Sequence, residues 1–105
     1  MPLPVCYLNG DYLPLAEARI SPLDRGFLFG DSVYEVVPVF DGRLFRFREH
    51  FDRLARSLRE IRLVSPHSHQ EWLAILGELI ARNGNSDQYV YVQVTRGMEF
   101  GRNHA

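Results

Sequence analysis

The chain has 105 residues, a net charge near −1 at pH 7, 46% hydrophobic and 24% charged residues. That is enough for one compact globular domain and not two, and it gives no electrostatic case for a nucleic-acid partner. No apolar run approaches the roughly 20 residues that span a bilayer, so a membrane partner is not expected either. Met1 to Leu8 has no basic residue ahead of its apolar part and does not read as a signal peptide, and Cys6, the only cysteine, cannot close an internal disulfide; a cytoplasmic location is the default.

In chain order, Val5 to Leu8 and Asp11 to Leu15 are β-type runs on either side of Asn9-Gly10. Asn-Gly between such runs predicts a hairpin, because both turn positions need positive φ. Ser21 to Asp31, with Ser21-Pro22, Gly26 and Gly30, reads as an ordered loop. Ser32 to Phe40 reads as a strand with Val33, Val37 and Val39 on one face and Tyr34 and Val36 on the other. Asp41-Gly42 turns it into a second strand, Arg43 to Phe47. Pro38 has no N–H to give a ladder, which points to an edge or a bulge.

From Arg48 to Ile61 the spacing predicts a helix, with Phe47, Phe51, Leu54, Leu58 and Ile61 as one apolar stripe and Glu49, Arg53, Arg56 and Glu60 opposite it. A second helix spans His69 to Asn83. Ser68 and Glu71 form a capping box at its start, and Asn83-Gly84 fits its end. Its stripe is Trp72, Ile75, Leu76, Leu79 and Ile80. In the last strand, Gln88 to Arg96, Val90, Val92 and Val94 alternate with Tyr89, Tyr91, Gln93 and Thr95; Gly97 to Ala105 is a polar loop. Strands and helices are segregated, so the fold class is α+β: an antiparallel sheet built from hairpins, with two packed helices. The sequence stops in that loop directly after a strong strand, as one domain of a longer chain would.

Taken singly, the polar residues carry little chemistry. Glu49 and Arg53, like Arg56 and Glu60, stand one helical turn apart, the spacing of surface ion pairs worth a few tenths of a kcal/mol. Tyr34 fits a half-buried sheet tyrosine, and His50 a helix-surface or packing histidine. His67 and His69, without a nearby carboxylate or cysteine cluster, make a poor metal site. Arg102 and His104, beside Gly97 and Gly101, suit either a solvated loop or a carboxylate grip. All 12 basic residues are arginine. Arginine stays charged and is a poor nucleophile, so the chain offers no lysine amine for covalent catalysis.

Three strings say more together. Asp24-Arg25-Gly26-Phe27-Leu28-Phe29-Gly30-Asp31-Ser32-Val33-Tyr34-Glu35, then Arg48-Glu49-His50-Phe51-Asp52-Arg53-Leu54, then Val94-Thr95-Arg96-Gly97 resemble, in order, the signatures of fold-type IV pyridoxal-phosphate enzymes. That family includes D-amino acid aminotransferases, branched-chain aminotransferases and aminodeoxychorismate lyases. The resemblance implies a small N-terminal domain, here residues 1–105, that packs against a larger C-terminal domain with pyridoxal phosphate between them. It matches Arg53 to the arginine that grips the cofactor phosphate, with Glu49 as a neighbour able to orient it. It matches Tyr34 to the tyrosine that faces the substrate. Arg102-Asn103-His104 resembles the Arg-x-His loop of D-amino acid aminotransferases, in which Arg102 and His104 would trap the substrate carboxylate in the neighbouring subunit of a homodimer. The family's lysine lies on the C-terminal domain, absent from this chain, so the 105 residues alone are expected to be inactive. The expected activity of the complete enzyme is amino-group exchange between a D-amino acid and a 2-oxo acid. The rivals are a branched-chain aminotransferase, an aminodeoxychorismate lyase, and a non-catalytic binding or dimerisation module.

Overall fold

The computed structural model describes residues 4–97. Arg102 and His104 lie outside the described residues. The first hairpin joins β1 (Val5–Leu8) to β2 (Asp11–Pro14), with Asn9 at φ 50° and Gly10 at φ 100°. Positive φ at both turn positions matches the right-handed twist of the strands. Leu15 falls outside β2 and opens a 3-10 turn, Leu15–Glu17, although its N–H still donates to the Pro4 carbonyl at 3.0 Å.

The segment 21–31 is more ordered than a loop. It holds a short helix, α1 (Arg25–Phe29). The Asp24 carboxylate caps it by accepting from the N–H groups of Gly26, at 2.7 Å, and Phe27, at 3.3 Å. Gly30 ends it in the left-handed conformation at φ 67°. So short a helix shows no apolar periodicity, which is why only its turn formers are visible in the sequence.

A three-stranded antiparallel sheet has the order β4-β3-β5, built from β3 (Ser32–Phe40), β4 (Arg43–Leu44) and β5 (Gln88–Thr95). The hairpin β1-β2 is a separate sheet. β4 is shorter than its sequence suggests because Arg46 turns left-handed, at φ 54°, and starts the next helix. Pro38 lies in the central strand, paired with Tyr89 of β5. Its carbonyl accepts from Phe45 N–H at 2.8 Å on the β4 side. A strand residue's nitrogen and carbonyl point the same way, so the missing N–H falls where β4 has already ended. Pro38 thus occupies a local edge inside a central strand.

The helices α2 (Phe47–Glu60) and α3 (His69–Arg82) follow the expected stripes. The capping box at Ser68 and Glu71 forms with both hydrogen bonds, 3.1 and 2.8 Å. The core is the inner sheet face, Val37, Val39, Val90 and Val92, packed against Phe51, Leu54 and Leu58 of α2 and Trp72, Leu76 and Ile80 of α3. Burial of each such side chain contributes roughly 1.5–3 kcal/mol. The hairpin is tied to the end of α3 by an amide, and Tyr12 adds a hydrogen bond from its hydroxyl to the Ile75 carbonyl at 3.1 Å. Asn83 accepts from Val5 N–H and donates to the Val5 carbonyl, both at 2.9 Å, completing a strand-like pair with a side chain. The outer sheet face is apolar and open: Tyr34, Val36, Phe40, Tyr89 and Tyr91 are all exposed there.

Candidate functional site

Along β3 the alternation that buries Val33, Val37 and Val39 also turns Glu35 inward, and its exposure is only 6%. A carboxylate there is costly unless it is paired. α2 crosses the same face and supplies two partners from one side of the helix. Arg53 donates from Nε to Glu35 Oε2 and from Nη2 to Glu35 Oε1, both at 2.8 Å. His50 Nδ1 lies 2.9 Å from Glu35 Oε1. The Arg53 hydrogen bonds, helped by His50 and opposed by burial, hold the Glu35 carboxyl below the usual carboxylate range; Glu35 in turn raises Arg53.

The two N–H groups that face Glu35 make up one edge of the guanidinium. Its other edge, Nη1 and the second N–H of Nη2, has no partner among the described residues, and the side chain is 56% exposed. The geometry is that of an arginine gripped from behind with a planar fork turned outward. Such a fork matches two oxygens of a phosphate or carboxylate. A cofactor phosphate therefore fits Arg53.

Glu49 does not orient Arg53. It sits 3.5 Å from Arg46 Nη1, in the first turn of α2, where a carboxylate also meets the positive end of the helix dipole. Arg56 and Glu60 form no ion pair among the described residues. Tyr34 lies on the outer face of β3, opposite to Glu35, 61% exposed. It stacks on Tyr91 of β5 with ring centroids 5.5 Å apart and planes 13° from parallel. Gln93 extends this face, donating to Ser32 Oγ at 3.0 Å. Tyr34 and Arg53 thus flank β3 from opposite sides and do not touch. His67 packs edge-to-face against Trp72 at 4.8 Å, and His69 Nε2 lies 2.8 Å from Asp52 Oδ1.

A second charged cluster fixes the end of β5. Asp31 Oδ2 accepts from Arg25 Nε at 3.2 Å and from Arg96 Nε at 2.6 Å. Arg96 Nη2 also donates to the Ile61 carbonyl at 2.6 Å. Thr95 Oγ1 donates to the Asp24 capping carboxylate at 2.9 Å. Gly26 lets α1 approach this strand, since a Cβ there would stand 2.5 Å from Thr95 Cγ2.

Sequence reasoning singled out Arg53 and Tyr34 and passed over Glu35 and over the contact that His50 makes with it. The signal was present: Glu35 has the same strand parity as Val33, Val37 and Val39, and His50 lies one helical turn before Arg53.

Known proteins resemble this chain in sequence and in fold. The Amino-transferase class IV family pattern matches residues 32–105, which include Tyr34, Glu35, His50 and Arg53. The D-alanine aminotransferase of Listeria monocytogenes serotype 4b is 43% identical over 97 residues, covering 92% of this chain and 34% of that protein. The D-alanine aminotransferase of Staphylococcus haemolyticus is 38% identical over 94% of this chain and 35% of its own length. Among solved structures, the T.th. branched-chain amino acid aminotransferase complexed with N-(5'-phosphopyridoxyl)-L-glutamate superposes with a TM-score of 0.82 at 26% identity, covering 90% of this chain and 33% of that one. The branched-chain enzyme from Escherichia coli gives 0.78 at 25% identity, over 85% of this chain and 32% of its own. The chain spans about a third of the length of these relatives. Sequence pattern, relatives and the fold of two antiparallel sheets with packed helices agree, and the chain belongs to the class IV aminotransferases, with the fold of their N-terminal domain.

Proposed function

We propose that this chain is the N-terminal domain of a D-amino acid aminotransferase, moving an amino group between a D-amino acid and a 2-oxo acid with pyridoxal phosphate. The observation that carries the choice is the level of identity. D-alanine aminotransferases of Listeria and Staphylococcus are 38–46% identical to the chain, whereas branched-chain aminotransferases that share its fold are 25–27% identical. In this reading Arg53 binds the cofactor phosphate with its outward fork. Tyr34, on the open sheet face, donates its hydroxyl to the substrate, and Arg102 and His104 hold the α-carboxylate in the site of a second copy. Carboxylate donors at fixed positions define the substrate's orientation, and orientation selects the enantiomer. When bound, pyridoxal phosphate supplies the electron-withdrawing ring on which the amino group is exchanged. The sequence contains no lysine. The nucleophilic amine therefore has to come from outside these residues, and the 105-residue chain alone should not transaminate.

The test uses a protein carrying this chain together with the C-terminal region of its relatives. D-Alanine should be the preferred donor over L-leucine. Arg102→Ala should lower kcat/KM for D-alanine by roughly tenfold to a few hundredfold, the loss of about one charge-assisted hydrogen bond. An amine without a carboxylate should lose much less. Preference for L-leucine would favour the branched-chain reading, which the fold similarity also supports. Equal losses on both substrates would move Arg102 from the carboxylate to folding or assembly.

A further inference from the structure

We infer that Glu35 is a positioning residue for the phosphate of the cofactor, acting through Arg53, with His50 as the stop that keeps Glu35 in place. The inference rests on the assignment of Arg53 to that phosphate. A long arginine side chain on an exposed helix face samples many rotamers, and an anion that binds it has to freeze them. Here they are already frozen. Two 2.8 Å hydrogen bonds from one guanidinium edge to one carboxylate fix both the position and the plane of the group. The carboxylate is fixed in turn: it is 6% exposed on a central strand, and His50 Nδ1 adds a third contact, 2.9 Å from Oε1. Strand β3, buried against α2, sets the direction of the outward fork, so little ordering remains for phosphate binding.

The opposing effect is electrostatic. Glu35 cancels the charge of Arg53 and should weaken its pull on an anion. That charge lies behind the guanidinium, however, and Arg53 itself is 56% exposed, so solvent at its outer edge screens the push of Glu35 on an anion bound there. Direct hydrogen bonds from the oriented fork dominate at contact distance. Positioning therefore outweighs neutralisation, and removing Glu35 should weaken phosphate binding rather than strengthen it.

The measurement is the affinity of the C-terminally complete protein for pyridoxal phosphate and for pyridoxal, which lacks the phosphate. Both are read by cofactor fluorescence without turnover. Glu35→Gln keeps the volume but presents only one oxygen to two donors. It should weaken pyridoxal phosphate by roughly tenfold, the loss of one charge-assisted contact, and leave pyridoxal within about twofold. His50→Gln, a milder change that spares the Arg53 contacts, should weaken pyridoxal phosphate by a smaller factor with the same selectivity. It keeps the inference testable if Glu35→Gln folds poorly. Arg53→Ala added to Glu35→Gln should cost much less than Arg53→Ala alone, because the two residues act as a unit. Unchanged or tighter pyridoxal phosphate binding in Glu35→Gln overturns the inference, as does equal loss of both ligands, the mark of a merely structural role. Arg53→Ala separates the two levels. If it does not discriminate pyridoxal phosphate from pyridoxal, the phosphate assignment fails; if it does and Glu35→Gln does not, only the positioning role fails.

Discussion

Two carboxylates in this molecule each hold two side-chain partners, and they are built for different ends. Asp31 collects Arg25 and Arg96, and Arg96 divides its donors between Asp31 and the Ile61 carbonyl. That arginine ties three segments together: the end of α1, the start of the loop after α2, and the end of β5. Arg53 instead places both of its used donors on a single carboxylate and keeps its outer edge open. One arginine is a cross-tie and the other is a held tool. Charge, residue type and exposure in the sequence do not separate them; the distribution of donors over partners does.

The sharpest way to break the cross-tie is steric. Gly26→Ala would place a Cβ 2.5 Å from Thr95 Cγ2 and 2.9 Å from the Asp24 cap. Both neighbours are held by hydrogen bonds, so neither can give way cheaply. A destabilisation of about 1–3 kcal/mol is expected, which lowers Tm by roughly 4–8 °C for each kcal/mol in a domain of this size. A Tm equal to that of the parent would mean that α1 is not clasped to β5.

Arg96→Ala comes next. It removes one hydrogen bond to Asp31 and one to the Ile61 carbonyl, at a site one-third exposed. After allowance for solvent screening the expected cost is about 1–2 kcal/mol, measurable as a shift in urea midpoint. Pyridoxal phosphate affinity in the complete protein should stay within about twofold. Arg53→Ala should invert that pattern, losing roughly tenfold to hundredfold in affinity, with Arg56→Ala as the control on the same helix. Similar affinity losses for Arg53→Ala and Arg56→Ala would erase the distinction between tie and tool.

Much of this comparison was hidden in the sequence for physical reasons. Periodicity shows where apolar groups go, and it placed the stripes of α2 and α3 and the inward valines of β3 and β5 correctly. It also turned Glu35 inward. Local spacing supplied a partner for Arg53 one helical turn away, Glu49, whereas the real partner is 18 residues distant and on a strand. Helical neighbours can be read from sequence, but a partner across the core depends on which strand the helix crosses. α1 escaped because five residues are too few for a periodic pattern. Its Asp24 cap and Gly30 stop were the only local marks. Arg102 and His104, legible as a motif, lie outside the described residues.

Acid should weaken both clusters. Hydrogen bonds from Arg96, and then from Arg25, hold the Asp31 carboxyl below its ordinary 3.8 against the opposing effect of burial, and those from Arg53 hold Glu35 below its ordinary 4.5. A lowered folded-state value means stabilisation that is fully present above the unfolded value and lost as pH falls through the folded one. Both contributions should therefore persist at pH 7, that of Glu35 fading as pH falls below about 4.5 and that of Asp31 only below about 3.8. Urea unfolding of the parent and of Glu35→Gln at pH 7 and pH 3 gives the check. The stability gap between them should shrink on acidification, and a constant gap would show that the Glu35 charge adds nothing to the fold.

The smallest effect is the most discriminating between helical spacing and tertiary geometry. Glu49 stands one turn before Arg53, the arrangement in which a carboxylate is expected to support an arginine on an isolated helix. In the folded chain its oxygen is instead 3.5 Å from Arg46 Nη1, and both side chains are nearly two-thirds exposed. An exposed pair of that length, screened by water, is worth about 0–0.5 kcal/mol. Arg46 caps the start of α2 and Glu49 lies in its first turn, whereas the guanidinium of Arg53 is engaged by Glu35 of β3. Glu49→Ala should therefore change the unfolding midpoint by no more than a surface substitution normally does, and pyridoxal phosphate affinity should be unaltered. Because Glu35 already occupies the inner edge of Arg53 with two 2.8 Å bonds, no orienting work is left for Glu49. A severalfold loss of affinity in Glu49→Ala, selective for the phosphorylated ligand, would reverse the assignment. It would mean that the outward fork is aimed from along the helix and not from the strand beneath it.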